Sequence, residues 1–267
     1  MTGCGGVAAL FTLLTDYGAG SGYPAQLKGV LLAACPDARI VDVSHEVPRH
    51  DVLGGALLLE ACAPWFPRGA IHVAVVDPGV GTARRGVCAI DPEGRRFVAP
   101  DNGLLTPFLG PGARAFALAE GGALPAPRSA TFHGRDLFAP AAVLLARGAE
   151  PASLGPELAD PVRLDWPTAA VAGREVRGTT LAADHFGNLV TSIREADLGS
   201  SPTVERVEAG GREARWVRTF GDGRPGELLA MVGSGGRVEL AVREASAAAL
   251  LGRTRGVEVR LVLVGPL

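Results

Sequence analysis

The chain has 267 residues, 47% hydrophobic and 20% charged, with a formal net charge of −2 at pH 7. That length suits one large domain or two smaller ones, and the balance excludes an intrinsically disordered chain. A charge so near zero gives no field to steer a polyanion, which excludes nucleic acid as a partner.

Arginine supplies nearly all the positive charge, and Lys28 is the only lysine. Cys4, Cys35, Cys62 and Cys88 all fall in the first third without a CxxC pair, which argues against a zinc site or redox motif. Their spacing does not resemble a disulfide framework, so the expected compartment is a reducing cytoplasm. The apolar run near the start lacks a preceding basic region and ends at Asp16. It reads as a buried strand and not as a leader. No run of about 18 apolar residues exists, so no membrane partner is expected.

In chain order, VAALFTLL (7–14) reads as a buried strand and AQLKGVLLAAC (25–35) as a helix. ARIVDVS (38–44) is a second strand, DVLGGALLLEACA (51–63) a second helix and AIHVAVV (70–76) a third strand. This alternation predicts a mixed, mostly parallel sheet covered by helices. GVCAIDPEGRRFVAP (86–100) predicts a hairpin turning near Pro92 to Gly94. Asp136 is the expected cap of a helix over LFAPAAVLLARG (137–148), which a glycine ends. After Trp166 the texture changes. PTAAVAG (167–173) reads as a linker, followed by seven strand-like runs between glycine turns. They are EVRGTTLAA, GNLVTSI, TVERVEA, EARWVRTF, ELLAMV, RVELAV and VEVRLVLV, the pattern of a small β-barrel or sandwich. The expected division is an α/β domain over 1–166 and an all-β domain over 174–267.

Ligands of open α/β sheets bind outside the carboxyl ends of strands. Asp16 and Asp77 stand directly after the first and third strands. Each is also an ordinary turn former, but a strand-end aspartate suits a ribose diol, since its two oxygens accept from adjacent hydroxyls. Arg84 and Arg85 could be a solvated turn pair, and His133 a core histidine. GVGT (79–82) lacks the lysine of a phosphate loop, GSGG (233–236) lacks the spacing of a nucleophile elbow, and no HExxH is present.

Residue by residue, however, the chain resembles the S-adenosyl-L-methionine hydrolases, or SAM hydroxide adenosyltransferases, relatives of fluorinase and chlorinase. The matching segments include LLTDYG (13–18), LKGVLLAACPDARIVDVSHEVPRHDV (27–52), VVDPGVGTARR (75–85) and APDNGLLTP (99–107). They continue through TFHGRDLFAPAAV (131–143), DHFGNLVTSI (184–193), VGSGGRVELAV (232–242) and ASAAALLG (245–252). The resemblance implies an N-terminal α/β domain and a C-terminal β-barrel. It also implies a homotrimer with active sites between subunits, and hydrolysis of S-adenosyl-L-methionine to adenosine and L-methionine without cofactor or metal.

By the same resemblance, Asp77, Arg84 and His133 handle the attacking water. Asp77 and His133 accept or orient its protons, and Arg84 favours hydroxide character. Asp16 holds the ribose hydroxyls. Asn188 and backbone near Val242 read the adenine edge, and Phe186 and Phe220 stack on its faces, unless these two rings are ordinary barrel core. Asp184 accepts from the methionine ammonium and Ser234 donates to its carboxylate. Halogenases carry a hydroxyl residue where Gly134 stands, which favours a hydrolase. Two positions depart from the family pattern: Ser21 replaces an acidic residue and Arg243 an asparagine. They keep open a nucleoside-binding protein with little turnover.

Overall fold

The computed structural model describes residues 8–199 and 203–265. Val7, the first residue of the expected opening strand, and Cys4 lie outside the described residues. The chain forms two compact units, residues 1–165 and 166–267.

In the first unit β1 (Leu10–Thr15), α1 (Tyr23–Ala34), β2 (Arg39–Ser44), α2 (Val52–Cys62) and β3 (Ile71–Val75) alternate as the apolar periodicity predicts. β4 (Gly86–Ile90) and β5 (Arg96–Pro100) form the expected antiparallel hairpin. β6 (Arg114–Ala117), absent from the sequence reading, pairs along β4, and α3 (Ala139–Ala146) closes the unit. The sheet runs β2-β1-β3-β5-β4-β6, its first four strands parallel.

β2 and β3 thus flank β1 on opposite sides, and the two connecting helices cover opposite faces. Leu27 and Leu31 of α1, one turn apart, pack with Phe11 and Leu13 of β1, Val73 and Val75 of β3, and α3. α2 lies so close to the other face that a Cβ at Gly55 would stand 3.0 Å from Val76 and Leu104 side chains. The direction reversal makes the carboxyl ends of β1 and β3 a topological switch point, where open sheets bind ligands. Asp51 caps α2 by accepting from Gly54 N at 2.9 Å. Asp136 does not cap α3. Residues 134–138 form a π-helical turn ahead of it, and the Asp136 carboxylate pairs with Arg135 and accepts from Ser129 N.

The second unit contains β7 (Ala170–Ala172), β8 (Glu175–Ala183), β9 (Leu189–Arg194), β10 (Val204–Ala209), β11 (Arg212–Trp216), β12 (Leu228–Val232), β13 (Arg237–Val242), α4 (Ala247–Leu251) and β14 (Glu258–Leu263). Strands β8 to β14 close in the order β14-β10-β11-β12-β13-β9-β8, with β14 pairing back to β8. The result is a seven-stranded barrel, filled by inward residues such as Val176, Val207, Leu240 and Leu261. The stretch read as a linker carries β7, which pairs with the start of β8. Cys35 is disulfide-bonded, which the spacing of the cysteines did not suggest, whereas Cys62 and Cys88 are free thiols. Among the described residues no helix is long and apolar enough to cross a membrane.

His72 on β3 is buried, with its Nδ1 2.7 Å from Thr12 Oγ1 and its ring stacked on Phe97 at 4.9 Å. Burial first, then the Arg95 charge, lowers its pKa from 6.5 to about 4, while Asp91 pulls the other way. The unfolded chain therefore takes up this proton first as pH falls. Stability is full above the unfolded pKa and is lost between roughly pH 6.5 and 4, by up to about 3 kcal/mol. Denaturation midpoints across that range should show the loss, and the Thr12→Val/His72→Phe variant should flatten it.

Candidate active site

A cavity of about 500 Å³ opens at the switch point, lined among others by Asp16, Tyr17, His50, Asp77, His133 and Gly134. Four of these were singled out in the sequence. Asp16 follows β1, and its Oδ2 accepts from His50 N at 2.9 Å. That contact fixes the carboxylate and leaves Oδ1 for a ligand. His50 takes a positive φ of 67°, a strained backbone for a non-glycine residue and one that gathers at functional sites.

Asp77 leaves β3 into a tight loop that brings Arg84 back onto it. Thr82 pins the loop, donating to Gly79 O at 2.7 Å and accepting from Arg84 N at 3.3 Å. Gly81 has a φ of 78°, and a Cβ there would stand 2.9 Å from Ala130 O. The loop needs glycine at this point to lie against the segment carrying His133. Arg84 then grips Asp77 with two parallel hydrogen bonds, Nε to Oδ1 at 3.0 Å and Nη2 to Oδ2. Only 8% of the Arg84 side chain and 6% of the Asp77 side chain are exposed. The guanidinium also lies 5.3 Å from the centre of the Phe138 ring.

Arg84 Nη2 stands 3.1 Å from His133 Nδ1. A guanidinium can only donate, so Nδ1 accepts, and the neutral ring carries its proton on Nε2. Burial, with Arg84 adding to it and Asp77 opposing, lowers the pKa of His133 below its ordinary 6.5. Burial pushes the Asp77 carboxyl up, against the pull of Arg84. The two arginines of the doublet have separate jobs, and both are held by carboxylates. Arg85 instead bonds Asp101 at 2.8 Å and Asp160 at 3.1 Å.

The remaining sequence candidates lie on the barrel unit. Asp184 organises the β8–β9 loop, accepting from Phe186 N and Asn188 N, each at 2.9 Å, and from Asn188 Nδ2 at 2.8 Å. Phe186 is 75% exposed and Phe220 48%, so neither ring is barrel core. Phe220 sits on a short 3₁₀ turn capped by Thr219. Arg243 holds that turn, donating to Gly223 O at 2.6 Å and Gly221 O at 3.2 Å. Ser234 is exposed in the β12–β13 turn, which Gly233 N closes onto Arg237 O at 2.8 Å. Val242 is buried at the end of β13.

The SAM hydroxide adenosyltransferase N-terminal domain model matches residues 11–155, and the C-terminal domain model residues 178–260. The chain belongs to this family. A Thermus thermophilus protein named (R)-S-adenosyl-L-methionine hydrolase is 43% identical over 259 residues, covering 93% of this chain and 98% of that protein. A protein named fluorinase from Actinopolyspora mzabensis is 28% identical over 288 residues, covering 94% and 96%. The crystal structure of an uncharacterized conserved protein from Thermotoga maritima superposes with a TM-score of 0.85 at 32% identity, covering 94% of this chain and 99% of that one.

The sequence reading missed Tyr17, His50, Phe132 and Arg135 as cavity lining. His50 lies inside a quoted family segment, but its backbone strain leaves no trace in residue type. Removing one member of a buried ion pair strands the other, at about 3–5 kcal/mol. Arg84→Met should therefore destabilise the protein by that order, whereas Asp77→Leu/Arg84→Met should recover much of the loss. Urea unfolding of the two variants checks this.

Proposed function

We propose that this chain hydrolyses S-adenosyl-L-methionine to adenosine and L-methionine by in-line attack of water on the ribose 5′ carbon. The observation that carries the reading is the buried Asp77–Arg84 pair with His133 hydrogen-bonded beside it at the switch-point cavity. Near full-length likeness to a protein named as such a hydrolase supports it. The relatives' name specifies the R sulfonium epimer, and we extend that preference to this chain.

In the step itself the water oxygen bonds to C5′ while the C5′–S bond breaks. Its electron pair stays on sulfur, which departs as a neutral thioether. The leaving group needs no acid and the reaction no cofactor or metal, so dialysis against a chelator should leave the rate unchanged. The proton of the water goes to Asp77, whose basicity burial has raised. His133 has committed Nδ1 to Arg84 and offers Nε2–H, so it donates to the water oxygen and orients it. This revises the simpler expectation that the imidazole takes the proton. Holding the water in line contributes up to about 7–11 kcal/mol in ideal cases.

Asp16 takes the ribose hydroxyls through its free oxygen. On the barrel, Phe186 and Phe220 hold the adenine faces, and Asn188 with backbone near Val242 its edge. Asp184 takes the methionine ammonium and Ser234 its carboxylate. Exposure of both phenylalanine rings favours this over a packing role. We further propose a homotrimer in which the barrel of one subunit completes the cavity of the next. The proposed location is the cytoplasm, where S-adenosyl-L-methionine is made. The Cys35 disulfide weighs against that, and cell fractionation decides it.

Incubation with S-adenosyl-L-methionine should yield adenosine and methionine in equal amounts, with no 5′-halo product when chloride or fluoride is added. Absence of adenosine leaves a nucleoside-binding protein. Asp16→Ala should weaken adenosine binding in calorimetry. Asp77→Asn should abolish turnover while still binding adenosine. His133→Asn should lower kcat about 10²–10³-fold, as for loss of one preorganised donor. It should nevertheless keep the acid limb of the kcat–pH profile, because Asp77 protonation sets that limb. Loss of the limb in His133→Asn would instead make histidine the proton acceptor.

Shared sites give a separate expectation. Asp77→Asn and Asp184→Ala are each inactive alone but damage different units. Mixed, dissociated and reassembled, they should regain activity. A mixture that stays inactive, or a monomer in sedimentation, would remove the shared site.

A further inference from the structure

Tyr17 stands between Asp16 and Gly18 in the β1–α1 loop, and its side chain lines the cavity beside Asp77 and His133. The ring packs against two aromatic neighbours, edge-on to Phe132 at 5.7 Å and tilted against Tyr23 at 5.8 Å. Its hydroxyl, by contrast, has no hydrogen-bond partner among the described residues, and only its backbone N–H is bonded locally. Burial first, then the Asp16 and Asp77 carboxylates, push the phenol up, with Arg84 opposing, so it stays a donor throughout the working range. The hydroxyl occupies the space that a side chain at Gly134 would enter: a Cβ built there collides with the Tyr17 oxygen. The next neighbours, Tyr17 Cζ at 3.2 Å and Phe132 Cε2 at 3.3 Å, would need to give only slightly.

We propose that the Tyr17 hydroxyl is a fourth member of the water site, donating to the nascent hydroxide from the space a side chain at position 134 would fill. The proposal rests on the hydrolase reading. Water has two lone pairs, one aimed at C5′ and the other accepting from His133 Nε2–H. As its proton moves to Asp77 the oxygen gains a third lone pair, and Tyr17 engages that one. The bond therefore exists only as the transition state forms, so it acts on kcat and not on substrate binding. It also gives Gly134 a reason to be glycine in this chain, since here the hydroxyl comes from across the cavity.

Tyr17→Phe keeps the aromatic packing and removes only the oxygen. Its kcat should fall about tenfold, the scale of one lost hydrogen bond, with KM and the thermal midpoint close to wild type. Gly134→Ser alone should lose activity, because its side chain meets the phenol oxygen. Tyr17→Phe/Gly134→Ser frees that space, supplies a hydroxyl from the other side, and should regain part of the lost kcat. A Tyr17→Phe enzyme with wild-type kcat, a defect confined to KM, or a double variant no better than Tyr17→Phe overturns the proposal. Failure of the wild type to release adenosine overturns the hydrolase reading instead, so the two failures are distinct.

Discussion

The first unit is organised around one buried contact, the two-pronged grip of Arg84 on Asp77. Neither charge can be left alone at such burial, since an isolated ion there would cost several kcal/mol. The loop from 77 to 85 must therefore close on itself, and its glycine at 81 must take a conformation other residues resist. Closure brings the guanidinium over Phe138 and within 3.1 Å of His133. The π-helical turn after His133 belongs to the same arrangement. Such turns are rare and concentrate at functional sites, and this one separates His133 from the regular α3 that follows.

Much of this framework is legible in the sequence because burial imposes periods on residue type. All seven barrel strands correspond to short strand-like runs read between glycine turns, and β1, β2, β3 and α2 follow from short apolar runs. β6 and β7 escaped because strands of four and three residues carry too little pattern. The Asp136 cap failed for a different reason. Capping logic assumes i to i+4 bonding from the first turn, and a π-helical start moves the orphan N–H groups elsewhere. Whether Phe186 and Phe220 face the core or solvent was beyond the sequence as well. Both sit on turns, where alternation no longer sets direction.

The departures from the family pattern become intelligible when their contacts are traced. Arg243 stands where an asparagine was expected, and its guanidinium ties down the backbone of the turn that presents Phe220. Ser21 replaces a carboxylate, and its Oγ only accepts weakly from Tyr23 N at 3.4 Å. The same β1–α1 loop that lacks this acidic group carries the Tyr17 phenol facing the cavity.

Burial acts on Asp77 and His133 in opposite directions, and both shifts remove charge. It raises the carboxyl and lowers the imidazole. With His133 neutral, the cluster of Asp77, Arg84 and His133 has no net charge, so it does not repel a sulfonium substrate. On the proposed mechanism the balance holds until the C5′–O bond forms. Before the proton moves, Arg84 is compensated by the Asp77 carboxylate; afterwards Asp77 is neutral and the new hydroxide compensates Arg84. The hydroxide forms beside a cation already in place, and once it has bonded to C5′ the product is neutral, so Asp77 must release its proton to compensate Arg84 again. A protonated His133 would break this balance twice, adding a charge and forfeiting the Arg84 hydrogen bond to Nδ1. The tautomer that Arg84 imposes is therefore also the charge state in which the site can receive its substrate.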